Sequence, residues 1–149
     1  MCPSADPSME NAVVVGVVGG AVDEPRVQYL KQLIPVTPKV LDLTGPARPA
    51  EVLRFAAPCA ESACQHFDEQ RCQLASRIVQ HIAPSERSLP ACRLRPFCRW
   101  WREQGRAACL RCPAIVRERY RPTPALIRAA GPGAVPRSDP APVEDRRAG

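Results

Sequence analysis

The sequence predicts a small α+β fold on three observations. Alternating, β-branched runs occur before residue 57, helix-period apolar spacing occurs after it, and seven cysteines crowd the interval 59 to 112. At 149 residues the chain has the size of one domain with tails. Leu, Ile, Val and Phe supply only 32 of those residues, close to the level at which apolar burial no longer offsets the entropy of ordering a chain. A large enzymatic core is therefore not expected.

Residues 1 to 10 carry two prolines and no periodicity, and residues 122 to 149 hold six prolines and three glycines, so both ends are expected to be disordered. Between them, residues 11 to 57 form a short β-containing segment. The run Val13 to Val18 ends at Gly19-Gly20, Asp23-Glu24-Pro25 turns the chain, and Arg26 to Leu30 alternates in polarity, which predicts strand, turn and strand. Lys39 to Leu43 is a short helical or extended piece stopped by Gly45-Pro46, and Glu51 to Phe55 alternates like a further strand. Gly16 to Gly20 lacks the spacing of a phosphate-binding loop and predicts a plain turn.

Residues 58 to 121 predict three short helices. Asp68 is a candidate cap for the first, in which Ala75, Ile78, Val79 and Ile82 share a face and Pro84 ends the run. Pro96 opens the second, Phe97, Trp100, Trp101 and Gln104 share its spacing, and Gly105 closes it. The third starts at Pro113, pairs Val116 with Tyr120, and stops at Pro122.

The seven clustered cysteines run Cys59-x4-Cys64-x7-Cys72-x19-Cys92-x5-Cys98-x10-Cys109-x2-Cys112, with Cys2 apart in the expected disordered start. The apolar run at 12 to 18 is too short to cross a bilayer and no basic segment precedes it, which predicts a cytoplasmic protein without a membrane partner. Structural disulfides seldom persist in that compartment, and seven thiols cannot pair off, so the cluster reads as thiolate ligands of a metal. Cys72, Cys98 and Cys112 each sit at the expected start of a helix, where free N–H groups favour thiolate over thiol. On this reading the domain is metal-organised, and ligation supplies folding energy that the thin core lacks.

Charge fits an anionic centre. The chain carries 21 basic against 15 acidic residues, and of the basic ones only Lys31 and Lys39 are lysines. Residues 87 to 121 hold ten arginines against Glu103 and Glu118. A four-thiolate zinc or an oxidised four-iron cluster bears a net charge of about −2, which Arg95, Arg99 and Arg111 can offset while Trp101 shields the site from water. GC-rich coding also enriches arginine, so this excess alone identifies no partner.

The ragged x5, x10 and x19 intervals and the Cys112-Pro113 step favour a four-iron iron-sulfur cluster, [4Fe-4S], ligated by Cys59, Cys64, Cys72, Cys92, Cys98, Cys109 and Cys112 in a grouping the spacing leaves open, with His66 as a further candidate. The alternative is zinc, divided as Cys59, Cys64, His66 and Cys72 in one site and Cys92, Cys98, Cys109 and Cys112 in another. The expected function is an electron carrier or redox sensor for a protein redox partner. The alternative is a zinc-stabilised basic adaptor that binds nucleic acid or an acidic protein, with Trp100 and Trp101 beside Arg99 and Arg102 offering stacking surfaces. Two scattered histidines and isolated carboxylates compose no catalytic constellation.

Overall fold

The computed structural model describes residues 1–119 and 121–131. Its elements run β1 (Val13–Ala21), β2 (Glu24–Pro35), α1 (Pro38–Asp42), α2 (Pro49–Val52), β3 (Leu53–Ala56), β4 (Phe67–Asp68), β5 (Arg71–Cys72), α3 (Gln73–His81), α4 (Arg99–Gln104), α5 (Arg106–Cys109) and α6 (Pro124–Ala130). Helices and small antiparallel sheets together make an α+β fold. Among the described residues no helix is long and apolar enough to cross a membrane.

The main sheet has the order β2-β1-β3, antiparallel throughout, and buries both faces of its central strand. Side chains alternate across a strand, so Val13 and Val15 meet one core while Val14 meets another. Ala56 likewise joins the first core, and Phe55 and Ala57 join the second. Cover on both faces explains why these stretches read as unbroken apolar runs. The first core gathers Ala75, Ile78, Leu94, Trp100, Ala108 and Ile115 from the cysteine-bearing half, and several of its members are alanines that let backbones approach closely.

Across the sheet Tyr29, Gly16 and Arg54 lie in one row, since Gly16 pairs with Tyr29 on one side and Arg54 on the other. A bulge between Val14 and Gly16 interrupts the register at this place. A Cβ on Gly16 would stand 2.6 Å from Val27 Cγ1 and 2.8 Å from the Gln28 carbonyl oxygen. Gly16→Ala is accordingly expected to lower stability by about 1–3 kcal/mol, read as a lower urea midpoint. An unchanged midpoint would mean that the two strands separate freely here.

The start of the chain is not disordered, contrary to the expectation for residues 1 to 10. Cys2 N–H donates to the Ala57 carbonyl at 2.6 Å and Ala57 N–H returns the bond at 3.2 Å, while the Met1 ammonium reaches the Phe97 carbonyl at 2.8 Å. Ala5 is buried in the second core. Edge pairing of main chain, which composition does not record, orders this segment. The expected disorder from residue 122 also gives way in part, because Thr123 caps α6 through its hydroxyl and Pro124 opens it. Residues 132 to 149 lie outside the described residues.

Three helix expectations need correction. Asp68 belongs to β4, and Cys72 is the N-cap of α3. Pro96 stands in a 3₁₀ turn ahead of α4, which leaves Phe97 68% exposed rather than inward, while Trp100 is buried as the spacing predicts. The third helix is only a 3₁₀ turn at Cys112–Ala114, and its Tyr120 lies outside the described residues. In the latter two cases a proline starts a turn that no sufficiently long apolar stripe extends.

Candidate metal centre

All eight cysteines are free thiols, and they fall into two groups of four. Cys2, Cys59, Cys64 and Cys72 line one cavity of about 330 Å3, together with His66, Arg99 and Trp100. Cys92, Cys98, Cys109 and Cys112 line a second, largely apolar cavity of about 20 Å3, roughly one water molecule's worth, together with Tyr29, Arg54, Arg95 and Trp100. Trp100, 1% exposed, stands in the wall of both. A third cavity of about 350 Å3 between α3 and α6 contains His66 and no cysteine.

Local structure explains the first group. The Cys2–Ala57 bridge brings Cys2 next to the segment that carries Cys59. The 3₁₀ turn Glu61–Ala63 folds Cys64 back, its carbonyl accepts from Phe67 N–H at 3.0 Å, and the β4–β5 hairpin sets Cys72 opposite Phe67. Burial pushes the Cys2 and Cys72 thiols up, and their nearness to Cys59 pushes them the same way.

The second group is held by α4, α5 and the turns beside them. Cys98 is the N-cap of α4, Cys109 ends α5, and Cys112 opens the following 3₁₀ turn. Burial pushes Cys98 up to about 11, partly offset by the N–H groups of Trp101 and Trp100. Cys92 and Cys109 are raised by burial too, and each feels Cys112.

The charges around the thiols are unusual. Arg54 is 2% exposed, and among the described residues no carboxylate pairs with it. It donates to the carbonyls of Pro3, Cys112 (3.1 Å) and Ile115 (2.6 Å), and Nη2 lies 3.2 Å from Cys112 Sγ. Burial works against its charge, and Cys112, Tyr29 and Cys2 outweigh burial, so its pKa is raised. Two buried donors, Trp100 Nε1 and Arg95 Nε, have no acceptor among the described residues. Arg99 is shared between Glu103 at 2.8 Å and Glu61 at 3.6 Å and also feels Cys59.

Several sequence-predicted site residues take other places. Arg111 donates to the Ile82 and Ala107 carbonyls and stands outside both linings. Trp101 also stands outside them, stacked with Arg95 at 5.5 Å. The His66 ring accepts from Arg77 at Nδ1 over 2.9 Å. Arginine is donor only, so the neutral ring carries its proton on Nε2 and has no free lone pair for a metal. Burial, then Arg77 and Arg117, hold the His66 pKa down. Cys2, expected apart in a disordered start, lines the first cavity, and Arg54, Tyr29 and Trp100 also join the linings unforeseen.

Among the described residues, no three His, Cys, Asp or Glu side chains converge as a site for a single metal ion. Four thiolates on one zinc at about 2.3 Å would stand about 3.8 Å apart. The structure places four cysteines along each of two cavities, with Trp100 lining both. No family model, curated protein or solved structure matches this chain. Its function is therefore argued from these two groups.

Proposed function

We propose that the chain is an iron-sulfur protein that takes up and returns single electrons for a protein redox partner in the cytoplasm, with a four-iron cluster on Cys92, Cys98, Cys109 and Cys112. The observation that carries this reading is Arg54. A buried guanidinium with no carboxylate partner among the described residues is costly unless an anion meets it, and besides three main-chain carbonyls Arg54 meets the Cys112 sulfur at 3.2 Å. A thiolate centre of net negative charge is the counter-ion that such a residue requires.

The donor set fits the group. Arg95 Nε and Trp100 Nε1 are buried donors in need of acceptors, and an inorganic core with bridging sulfides presents acceptors. The cavity among these thiols, about 20 Å3, is smaller than such a core, so the lining would have to open to seat it. When bound, the cluster supplies a one-electron couple. Arg54 and Arg95 then favour the more negative, reduced state by charge, and Trp100 keeps water from the core.

Zinc is less well supported, because a single ion needs sulfurs drawn together more tightly than any trio here. A nucleic-acid partner has little support either. Arg93, Arg106, Arg111 and Arg117 each donate to a main-chain carbonyl and act as staples between loops, which draws these four toward the fold rather than toward phosphates. Protein purified without oxygen is expected to be brown, with iron, acid-labile sulfide and an absorbance at about 400 nm that bleaches on reduction. A colourless, folded protein that carries zinc or no metal would overturn the reading.

A further inference from the structure

We infer that Cys2, Cys59, Cys64 and Cys72 hold a second four-iron cluster, set in series with the first across the indole of Trp100. This rests on the iron-sulfur reading above and adds a site, its ligands and its relation to the first.

Three observations lead here. Eight thiols divide into two fours, each around its own cavity, with no cysteine left over. The cavity of the Cys2 group measures about 330 Å3, ample for an inorganic core, and Phe67, Leu74, Met9 and Trp100 make it largely apolar. The fourth ligand is placed with care: main-chain bonds pin residue 2 to Ala57, and Arg99 N–H donates to the Met1 carbonyl at 2.9 Å. Four main-chain hydrogen bonds of Met1 and Cys2, to Phe97, Arg99 and Ala57, thus hold this thiol in place beside the segment that carries Cys59.

Trp100 supplies the independent sign of a ligand. It is buried to 1% exposure and lines both cavities, and its Nε1, which has no acceptor among the described residues, is a donor open to a centre in either one. Arg54 lies over the same ring at 5.6 Å and feels both Cys2 and Cys112, so one buried cation serves both centres. With both groups of cysteines loaded, each cluster would supply a one-electron couple and Trp100 would be the residue common to both walls, so one cluster would pass from 1+ to 2+ as the other passed from 2+ to 1+, with no proton or further reactant consumed.

The test is made on the full chain, reconstituted anaerobically with ferrous iron and sulfide. The wild type is expected to hold about eight iron and eight sulfide per chain, and Cys2→Ala or Cys72→Ala about four of each. Cys98→Ala is expected to leave about four as well, and circular dichroism checks that each variant folds. The fully reduced wild type is expected to give an electron paramagnetic resonance spectrum split by coupling between two spins, and each variant an unsplit one. About four iron in the wild type, unaltered by Cys2→Ala, would overturn the second cluster and leave the first standing. Eight iron without spin coupling would overturn the arrangement across Trp100. No iron in any form would overturn the reading on which both rest.

Discussion

Replacing Arg54 with leucine will cost the fold on the order of 3–5 kcal/mol, and with it the iron uptake proposed for the Cys112 group. The side chain does two things that leucine cannot do. Its fork satisfies the carbonyls of Pro3 and Ile115 and adds a donor to that of Cys112, which also accepts from Ile115 N–H, so it ties together two segments far apart in sequence. Each buried carbonyl left without a partner costs about 1–3 kcal/mol. It also supplies the positive charge beside the Cys112 sulfur, without which a buried anionic centre stands uncompensated. Against a total stability of about 5–15 kcal/mol for a domain of this size, the loss is a large share. Arg54→Lys is expected to fall between the two, since a lysine keeps the charge but cannot make the planar fork. Urea unfolding of the metal-free chains and iron content after reconstitution read the two effects separately. A leucine variant within about 0.5 kcal/mol of wild type would show that the buried guanidinium is dispensable.

Arg54 also marks where the sequence stops being legible. Its alternating neighbours predict a strand, and the strand forms over Leu53–Ala56. Nothing in the local pattern tells that Arg54 points inward, because an arginine in a strand is by default a solvent-facing position. The inward aim follows from the tertiary row Tyr29, Gly16, Arg54, which depends on pairing between strands far apart in sequence. The two strands of the β1–β2 hairpin, the helix α3 with its buried Ala75 and Ile78, and the stop at Gly105 were readable from period and punctuation, but β1 continues through Gly16–Gly20, where a turn was expected, to Ala21. Helix starts at prolines were over-extended, since proline opens a 3₁₀ turn as readily as a helix.

Part of the site was readable as well. The long interval between Cys72 and Cys92 marks the border between the two sulfur groups, as the two-site zinc division has it. Cys2 was the hidden member. Its prolines and lack of period suggest a loose end, yet it is the eighth thiol, and eight divides by four where seven does not. His66 shows the reverse: spacing offers it as a ligand, and Arg77, eleven residues away, occupies its lone pair. Ligand identity is a property of which lone pairs remain free after folding, and spacing does not report that.

The stability of the metal-free chain is expected to fall as pH rises above about 8.5, and that of the loaded chain to fall as pH drops. Burial raises the pKa of Cys98 to about 11, and it raises Cys2, Cys72, Cys92 and Cys109 as well. Above the ordinary thiol range the unfolded chain has released these protons while the folded chain still holds them. Folding then takes up protons, so the stability these groups contribute is whole below about pH 8.5 and is lost as pH climbs toward 11. Cys98 alone accounts for about 3 kcal/mol of that loss, on the order of what burying one thiolate costs. Ligation reverses the sign, because coordinated sulfurs are already thiolates and it is protons that now compete with iron for them. Urea midpoints of reduced, metal-free protein at about pH 7 and about pH 10 are expected to drop, and those of loaded protein to hold or rise. Two curves of the same slope would mean that the thiols buried in these groups are not the atoms that bind the metal.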